Sequence, residues 1–244
     1  MYPWQLGSGE TVPILAEELK TVHSTRLELI EEPVRTRLAE AGPGATALDL
    51  ACNEGYFSQR LLEWGAARVV GIDIRDVHIR RATLVRDHFG IGADRLALEQ
   101  GDAFALDAER LGTFDVVLNL GLVYHVEDPV GVIRRSRERT APGGLCVVES
   151  QLTRQSAPIV HGWGSTGHLE EADGSFAVRL ELDQDSNTLA SAGGVVSLVP
   201  NRAALALAMS AAGLDDVRFL EPRRGQNAQY VEGDRAIAVG RAPS

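Results

Sequence analysis

The chain of 244 residues is 44% hydrophobic, enough to bury one substantial core, so a single domain with embellishments is expected. A formal net charge of −10 removes any general attraction to phosphate backbones and argues against a nucleic-acid partner. No run reaches the roughly 18–20 apolar residues of a membrane span, the start lacks the basic-then-apolar pattern of a secretory signal, and the two cysteines, Cys52 and Cys146, suit a reducing cytosol.

Residues 1–43 precede the first core strand. Trp4, Leu6, Ile14 and Leu15 are separated by Gly, Ser and Pro, which predicts an irregular arm. From Ala16 to Ala41 the apolar positions Leu19, Val22, Leu27, Ile30, Val34 and Leu38 keep helical spacing, with a break or kink expected at Pro33. Such an arm either covers a sheet edge or lids a pocket.

Residues 45–73 are the stretch around which the chain is organised. Ala45–Ala51 read as a buried strand, Cys52-Asn53-Glu54-Gly55 as a small-residue turn, Tyr56–Trp64 as a helix, and Val69–Ile72 as a second strand ending on Asp73. This is half of a nucleotide-binding βαβ unit. Gly55 lets the backbone approach a ligand, and the helix start offers free N–H donors. Asp73 is placed where a carboxylate accepts hydrogen bonds from ribose hydroxyls. G-x-G-x-x-G is absent, so a nucleoside without phosphate fits this turn better than a pyrophosphate. Cys52 has no activating neighbour in the sequence and reads as a small residue packed beneath a cofactor.

Arg75–Phe89 read as a helix whose arginines face solvent, and Leu96–Leu98 as a third strand leading to Gly101-Asp102-Ala103. Phe114–Leu120 is a fourth, buried strand of the central parallel kind. It opens into Gly121-Leu122-Val123-Tyr124-His125, and Asp128-Pro129 then starts a helix. Asn119, Leu120, Tyr124 and His125 thus stand at the carboxyl end of the sheet, where open α/β folds bind ligands. His125 is the first candidate for a general base, since an unperturbed imidazole titrates near neutrality. The alternative is that Tyr124 and His125 only line the cofactor pocket.

Leu145–Glu149 form a fifth strand, after the turn Ala141-Pro142-Gly143-Gly144, and Glu149 points to the cleft. Over residues 153–195 the α/β rhythm stops. This stretch holds His161, Trp163, His168, Glu170, Glu171, Asp173, Asp183 and Asp185, and reads as a substrate-recognition insertion with a hairpin around Phe176–Leu182. Asn201 then starts a helix running to Ala212, closed by Gly213, and Val217–Leu220 and Ala236–Gly240 read as two last strands.

The segment Asp49-Leu50-Ala51-Cys52-Asn53-Glu54-Gly55 resembles motif I of class I S-adenosylmethionine-dependent methyltransferases, an acidic residue followed by G-x-G-x-G, with Ala51 and Asn53 in place of the first two glycines. V-Y-H after the fourth strand, S-L-V-P-N before the late helix, and W-x-L-G-x-G-E-T near the start are similar to the group of the tRNA wobble-uridine carboxymethyltransferase and its small-molecule relatives. The resemblance covers roughly residues 45–242. It implies a Rossmann-like, seven-stranded, mostly parallel sheet with helices on both faces. A methyltransferase domain would occupy residues 44–244, with the arm at 1–43 and the insertion after strand five at 153–195. It implies S-adenosylmethionine as cofactor, held by Asp49, Ala51, Cys52, Asn53, Gly55 and Phe57 around the turn. Asp73 and Ile74 would follow the second strand, Asp102 and Ala103 would form the adenine site, and Asn119 and Leu120 would close the row.

Methyl transfer from a sulfonium is an in-line displacement, so positioning dominates, and a hydroxyl nucleophile also needs a base or a metal. His125, His161 and His168, with Tyr124 beside them, are the candidates for the base. Glu149, with Glu170, Asp173 or Asp183, could supply oxygen ligands for Mg²⁺, although no spacing fixes a site. The expected activity is O-methylation of a small hydroxylated acceptor, a saccharide or secondary metabolite, by a cytosolic enzyme with a homodimer as the default assembly. One rival is a tRNA-modifying enzyme with Arg179, Arg202, Arg218, Arg223 and Arg224 as a phosphate-binding face. Another is a cofactor-binding protein without catalysis.

Overall fold

Apolar five- to seven-residue segments alternating with amphipathic ones generate a layered α/β architecture. The computed structural model describes residues 17–154, 174–180 and 196–244. The irregular arm with Trp4, Leu6, Ile14 and Leu15, and most of 153–195 including His161, His168, Glu170, Asp173 and Asp183, lie outside the described residues. The chain runs α1 (Glu17–Ala41), β1 (Thr46–Leu50), α2 (Tyr56–Glu63), β2 (Arg68–Asp73), α3 (Asp76–His88), β3 (Leu96–Gln100), α4 (Ala108–Leu111) and β4 (Phe114–Leu120). A 3₁₀ turn (Val123–His125), α5 (Pro129–Glu138), β5 (Thr140–Gln151), β6 (Phe176–Leu180) and β7 (Val196–Pro200) follow. Then come α6 (Arg202–Ala211), β8 (Asp215–Leu220), α7 (Ala228–Val231) and β9 (Arg235–Arg241).

Seven strands form one sheet in the order β3-β2-β1-β4-β5-β9-β8. The first five are parallel, while β9 runs antiparallel to both β5 and β8. Helices cover both faces, as expected. On one side α1 and α2 bury Ile30, Val34, Leu38, Phe57 and Leu61 against Ala47, Val69, Leu118 and Val147, and Val85 of α3 packs beside them. On the other, α5 and α6 bury Val132, Ile133, Leu205 and Met209 against Cys146, Val148 and Ala238.

Sequence order reverses direction between β1 and β4, because the chain builds outward through β2 and β3 and then crosses back. That reversal is the switch point at which doubly wound sheets open a crevice.

Three local differences from the sequence reading have physical causes. Of the break or kink expected at Pro33, the break does not occur: helix α1 is continuous there, since Val22, Ile30, Val34 and Leu38 on both sides of the proline share one buried face. The turn Ala141–Gly144 falls within β5, where the register jumps from Phe114↔Thr140 to Val116↔Leu145 and the intervening residues bulge out. The partner of β6 is β7, paired antiparallel from Phe176↔Pro200 to Leu180↔Val196 as a separate two-stranded sheet. Leu198 N–H donates to Val126 O at 3.0 Å, which sets this ribbon beside the 3₁₀ turn.

Candidate active site

The turn after β1 shows why the resembled family has glycines where this chain has Ala51 and Asn53. Ala51, Asn53 and Gly55 all have left-handed φ, at 54°, 51° and 78°. Asparagine tolerates this region, whereas for alanine it costs about 1–2 kcal/mol. The path is pinned by Cys52 N–H donating to Ile72 O (3.0 Å), Gly55 N–H to Cys52 O (2.9 Å), and Asn53 N–H to Asp73 Oδ2 (2.9 Å). A side chain at Gly55 would meet Ala82 Cβ at 3.3 Å, so the α2 start lies tight against α3.

Beneath the turn, Asp49 is buried and accepts a 2.6 Å hydrogen bond from Ser58 Oγ. Burial pushes its carboxyl up to about 7, with Ser58 opposing and the charge of Asp73 reinforcing. Cys52 is a buried, free thiol pushed well up by the same burial and the neighbouring carboxylates. Glu54 is held by Arg81 at 3.1 Å. Phe57 is buried at the start of α2, with the Arg26 guanidinium 5.8 Å from its ring centroid.

Strand register lines up the remaining candidates along one edge. Leu50 pairs with Ile72 and Asn119, Asp73 with Gln100, and Leu120 with Glu149. Asp73 is buried, and its carboxylate accepts from Asn53 N–H, Arg75 N–H and His78 Nδ1 at 2.9, 2.9 and 3.1 Å. Ile74 follows with 44% exposure, an apolar surface open at the cleft. Asp102 is exposed and accepts Phe104 N–H at 2.9 Å, with Ala103 half-buried beside it. Asn119 is fully buried and donates to Ser136 Oγ at 2.9 Å, so its side chain faces α5, while Leu120 faces the opposite layer. An apolar shelf, a close-approaching backbone and a buried carboxylate suit an adenosyl group without phosphates.

Tyr124 and His125 lie on the 3₁₀ turn at the same edge, with ring centroids 4.2 Å apart. Arg235 Nη1 donates to Tyr124 Oη at 3.3 Å, and the guanidiniums of Arg235 and Arg179 lie 5.3 and 5.7 Å from the Tyr124 ring centroid. Arg26, Arg235 and Tyr230 were not singled out from the sequence, yet they surround Glu149.

The contacts of Glu149 do not support the expected role as an Mg²⁺ ligand. Its Oε2 accepts from Arg26 Nη2 at 3.1 Å, and its Oε1 accepts from Arg235 Nη1 and from Tyr230 Oη at 3.1 Å. Burial would raise this carboxyl, but Arg235 and Arg26 hold it down at about 2. Two guanidiniums beside a carboxylate whose oxygens are occupied oppose a third cation. Among the described residues no cluster of His, Cys, Asp and Glu is arranged to hold a metal.

Comparison with known proteins identifies the fold and the family. The family model described as a methyltransferase domain matches residues 22–218. The ubiquinone biosynthesis O-methyltransferase of Psychrobacter cryohalolentis is 31% identical over 141 residues, 54% of each chain. The tRNA U34 carboxymethyltransferase of Alteromonas mediterranea is 28% identical over 111 residues, 44% of this chain and 32% of that one. The match thus spans about half the length of the first curated relative or less. Among solved structures, the N-terminal domain of EvdMO1 in the presence of S-adenosylhomocysteine and D-fucose is 25% identical, covers 87% of this chain and 82% of that one, and has a TM-score of 0.61. The magnesium protoporphyrin IX methyltransferase of Synechocystis PCC 6803 with bound S-adenosylhomocysteine shares the fold at 15% identity and a TM-score of 0.60, covering 95% and 90%. With the motif I turn, the strand order and a family match over most of its length, the chain belongs to the methyltransferase-domain family of the S-adenosylmethionine-dependent class.

Proposed function

We propose that the protein transfers a methyl group from S-adenosylmethionine to a hydroxyl of a small acceptor, a saccharide or secondary metabolite, with His125 as general base. The observation that carries this reading is the position of His125. It lies on the 3₁₀ turn directly after β4, across the switch point from the motif I turn. The names of the ubiquinone O-methyltransferase relatives, and the structure of the EvdMO1 domain in the presence of D-fucose, support a small hydroxylated acceptor.

S-adenosylmethionine, when bound, supplies an electrophilic methyl on a sulfonium. Asp73 accepts a ribose hydroxyl, Ile74 offers its exposed apolar surface to the adenine, and Asp102 with Ala103 borders the adenine edge. Gly55 and the start of α2 approach the methionyl portion. His125 would take the acceptor's hydroxyl proton at a ring nitrogen as the oxygen–methyl bond forms and the methyl–sulfur bond breaks, with neutral S-adenosylhomocysteine as the leaving group, a contribution worth about 10²–10⁴-fold in rate. Tyr124, held by Arg235, borders the acceptor. No metal is assigned a step, since the oxygens of Glu149 are already engaged.

The test pairs calorimetric titration of S-adenosylhomocysteine with an acceptor screen. Micromolar binding that is lost in Asp73→Ala, and turnover that falls at least 100-fold in His125→Ala with cofactor affinity kept, are expected. Unchanged turnover in His125→Ala removes histidine from the base role. Absence of turnover on every acceptor, with binding intact, would leave a non-catalytic cofactor binder. The tRNA reading has support from the Alteromonas relative. Against it stand the net charge of −10 and two of the five arginines, Arg202 on Glu221 and Arg179 on Gln151, being engaged locally. Steeply salt-dependent tRNA binding would favour it over the small acceptor.

A further inference from the structure

The buried pair Asp73–His78 does more than close a helix turn. Asp73 Oδ1 accepts two donors, Arg75 N–H at 2.9 Å and His78 Nδ1 at 3.1 Å. Oδ2 accepts one, Asn53 N–H at 2.9 Å. An ionised carboxylate has about four acceptor sites, so the protein fills three and leaves one on Oδ2, the oxygen that faces the motif I turn. A carboxylate is acceptor-only, so Nδ1 of His78 is the donor in this bond. The side chains of His78 and Asp73 are 6% and 8% exposed, so neither has water as an easy substitute partner. The imidazole is a side-chain donor from α3, and it sits on the oxygen opposite the turn. Together with the backbone donors Arg75 N–H and Asn53 N–H, it holds the rotation of the carboxylate about its own axis, and with it the direction of the remaining lone pair.

We infer that His78 is a positioning residue for the nucleoside ribose, orienting Asp73 so that its open Oδ2 acceptor site meets the ribose hydroxyls. The inference rests on the reading that Asp73 receives the ribose. It adds that recognition extends one layer back into α3.

The experiment measures the affinities of S-adenosylhomocysteine and of its analogue lacking both ribose hydroxyls, by calorimetry, for the wild type, His78→Ala, His78→Asn and Asp73→Ala. Wild type is expected to prefer the hydroxylated ligand at least tenfold. His78→Ala should lose most of that preference by binding S-adenosylhomocysteine about tenfold more weakly, with the analogue bound as in the wild type. His78→Asn places an amide donor near the position of Nδ1 and should recover affinity to within about threefold. Equal losses for both ligands in His78→Ala, or no loss for either, overturns the positioning role. If Asp73→Ala leaves the preference for the hydroxylated ligand intact, the ribose reading itself fails, and that result is separable because it does not involve His78.

Discussion

Arg26 Nη2 in α1 stands 3.1 Å from Glu149 Oε2 in β5, joining the first helix to the sheet through a carboxylate with 0% exposure. Arg235 from β9 and Tyr230 from α7 complete the cage. Removing one member of such a buried set leaves uncompensated charge, at a cost of about 3–5 kcal/mol. Glu149→Gln is therefore expected to lower unfolding stability by that order, read from urea denaturation at pH 7. The folded carboxyl titrates at about 2 against an ordinary 4.5. A depressed acid contributes stability that is present above the ordinary value and lost as pH falls towards the folded one. The gap between wild type and variant should hold down to about pH 4.5 and narrow below it. A gap that does not change with acidification would show that Glu149 ionisation is not what holds the cage.

Asp49 works in the opposite sense. Burial pushes its carboxyl up from 3.8 to about 7. An acid raised in the folded state contributes stability that is present below its unfolded value and lost as pH rises through the folded one. The wild type should lose melting temperature between about pH 4 and pH 7 through this group. Asp49→Asn keeps an oxygen for Ser58 and removes the titration, so it should flatten that slope. At pH 8 it should exceed the wild type by on the order of 1–4 kcal/mol. Parallel melting curves across pH would show that Asp49 is ionised at little cost.

Both cysteines should be silent to thiol reagents in the native protein. Burial pushes Cys146 up to about 12 and Cys52 well above its ordinary value. A thiolate is the reactive species, so both burial and titration suppress reaction. A chromogenic disulfide reagent should release no product until denaturant is added and then release two equivalents. Rapid native labelling would mean that the turn over Cys52 opens readily.

The legible part of this molecule was local. Asp49, Gly55, Asp73 and Asp128-Pro129 announce strand ends, a turn and a helix start through residue type and spacing within about 20 positions. The seven-stranded sheet with its final pair of strands was implied by the family resemblance that the motif I turn carries. The Arg26–Glu149 contact spans 123 positions and leaves no such trace. One signal was present: Val22, Arg26, Ile30, Val34 and Leu38 share i+4 spacing, so a charge sat in the middle of an apolar stripe and required a buried partner. Glu149, at the end of a strand without other charges, was the complementary anomaly, and it is the counter-ion of Arg26 and Arg235. His78 left no comparable mark, because a histidine in a helix with an arginine-rich face does not reveal which side it takes.

The motif I turn offers a graded comparison across its three left-handed positions. Ala51 at φ 54° carries a Cβ in a region that disfavours it. Glycine would relieve about 1–2 kcal/mol of strain but would enlarge unfolded-state freedom by about 0.4–1 kcal/mol. Ala51→Gly should therefore raise stability by up to about 1 kcal/mol. Asn53→Gly should be nearly neutral, since asparagine already tolerates φ 51° and the bond from its backbone N–H to Asp73 survives. Gly55→Ala should go the other way. It places a Cβ at φ 78° and 3.3 Å from Ala82 Cβ, so both backbone and packing oppose it. A loss of about 1–3 kcal/mol is expected, with weaker S-adenosylhomocysteine binding because the start of α2 must shift. Urea melts and calorimetry on the three variants give the order Ala51→Gly, Asn53→Gly, Gly55→Ala. A destabilised Ala51→Gly would mean that the methyl of Ala51 makes a packing contribution larger than the strain it carries.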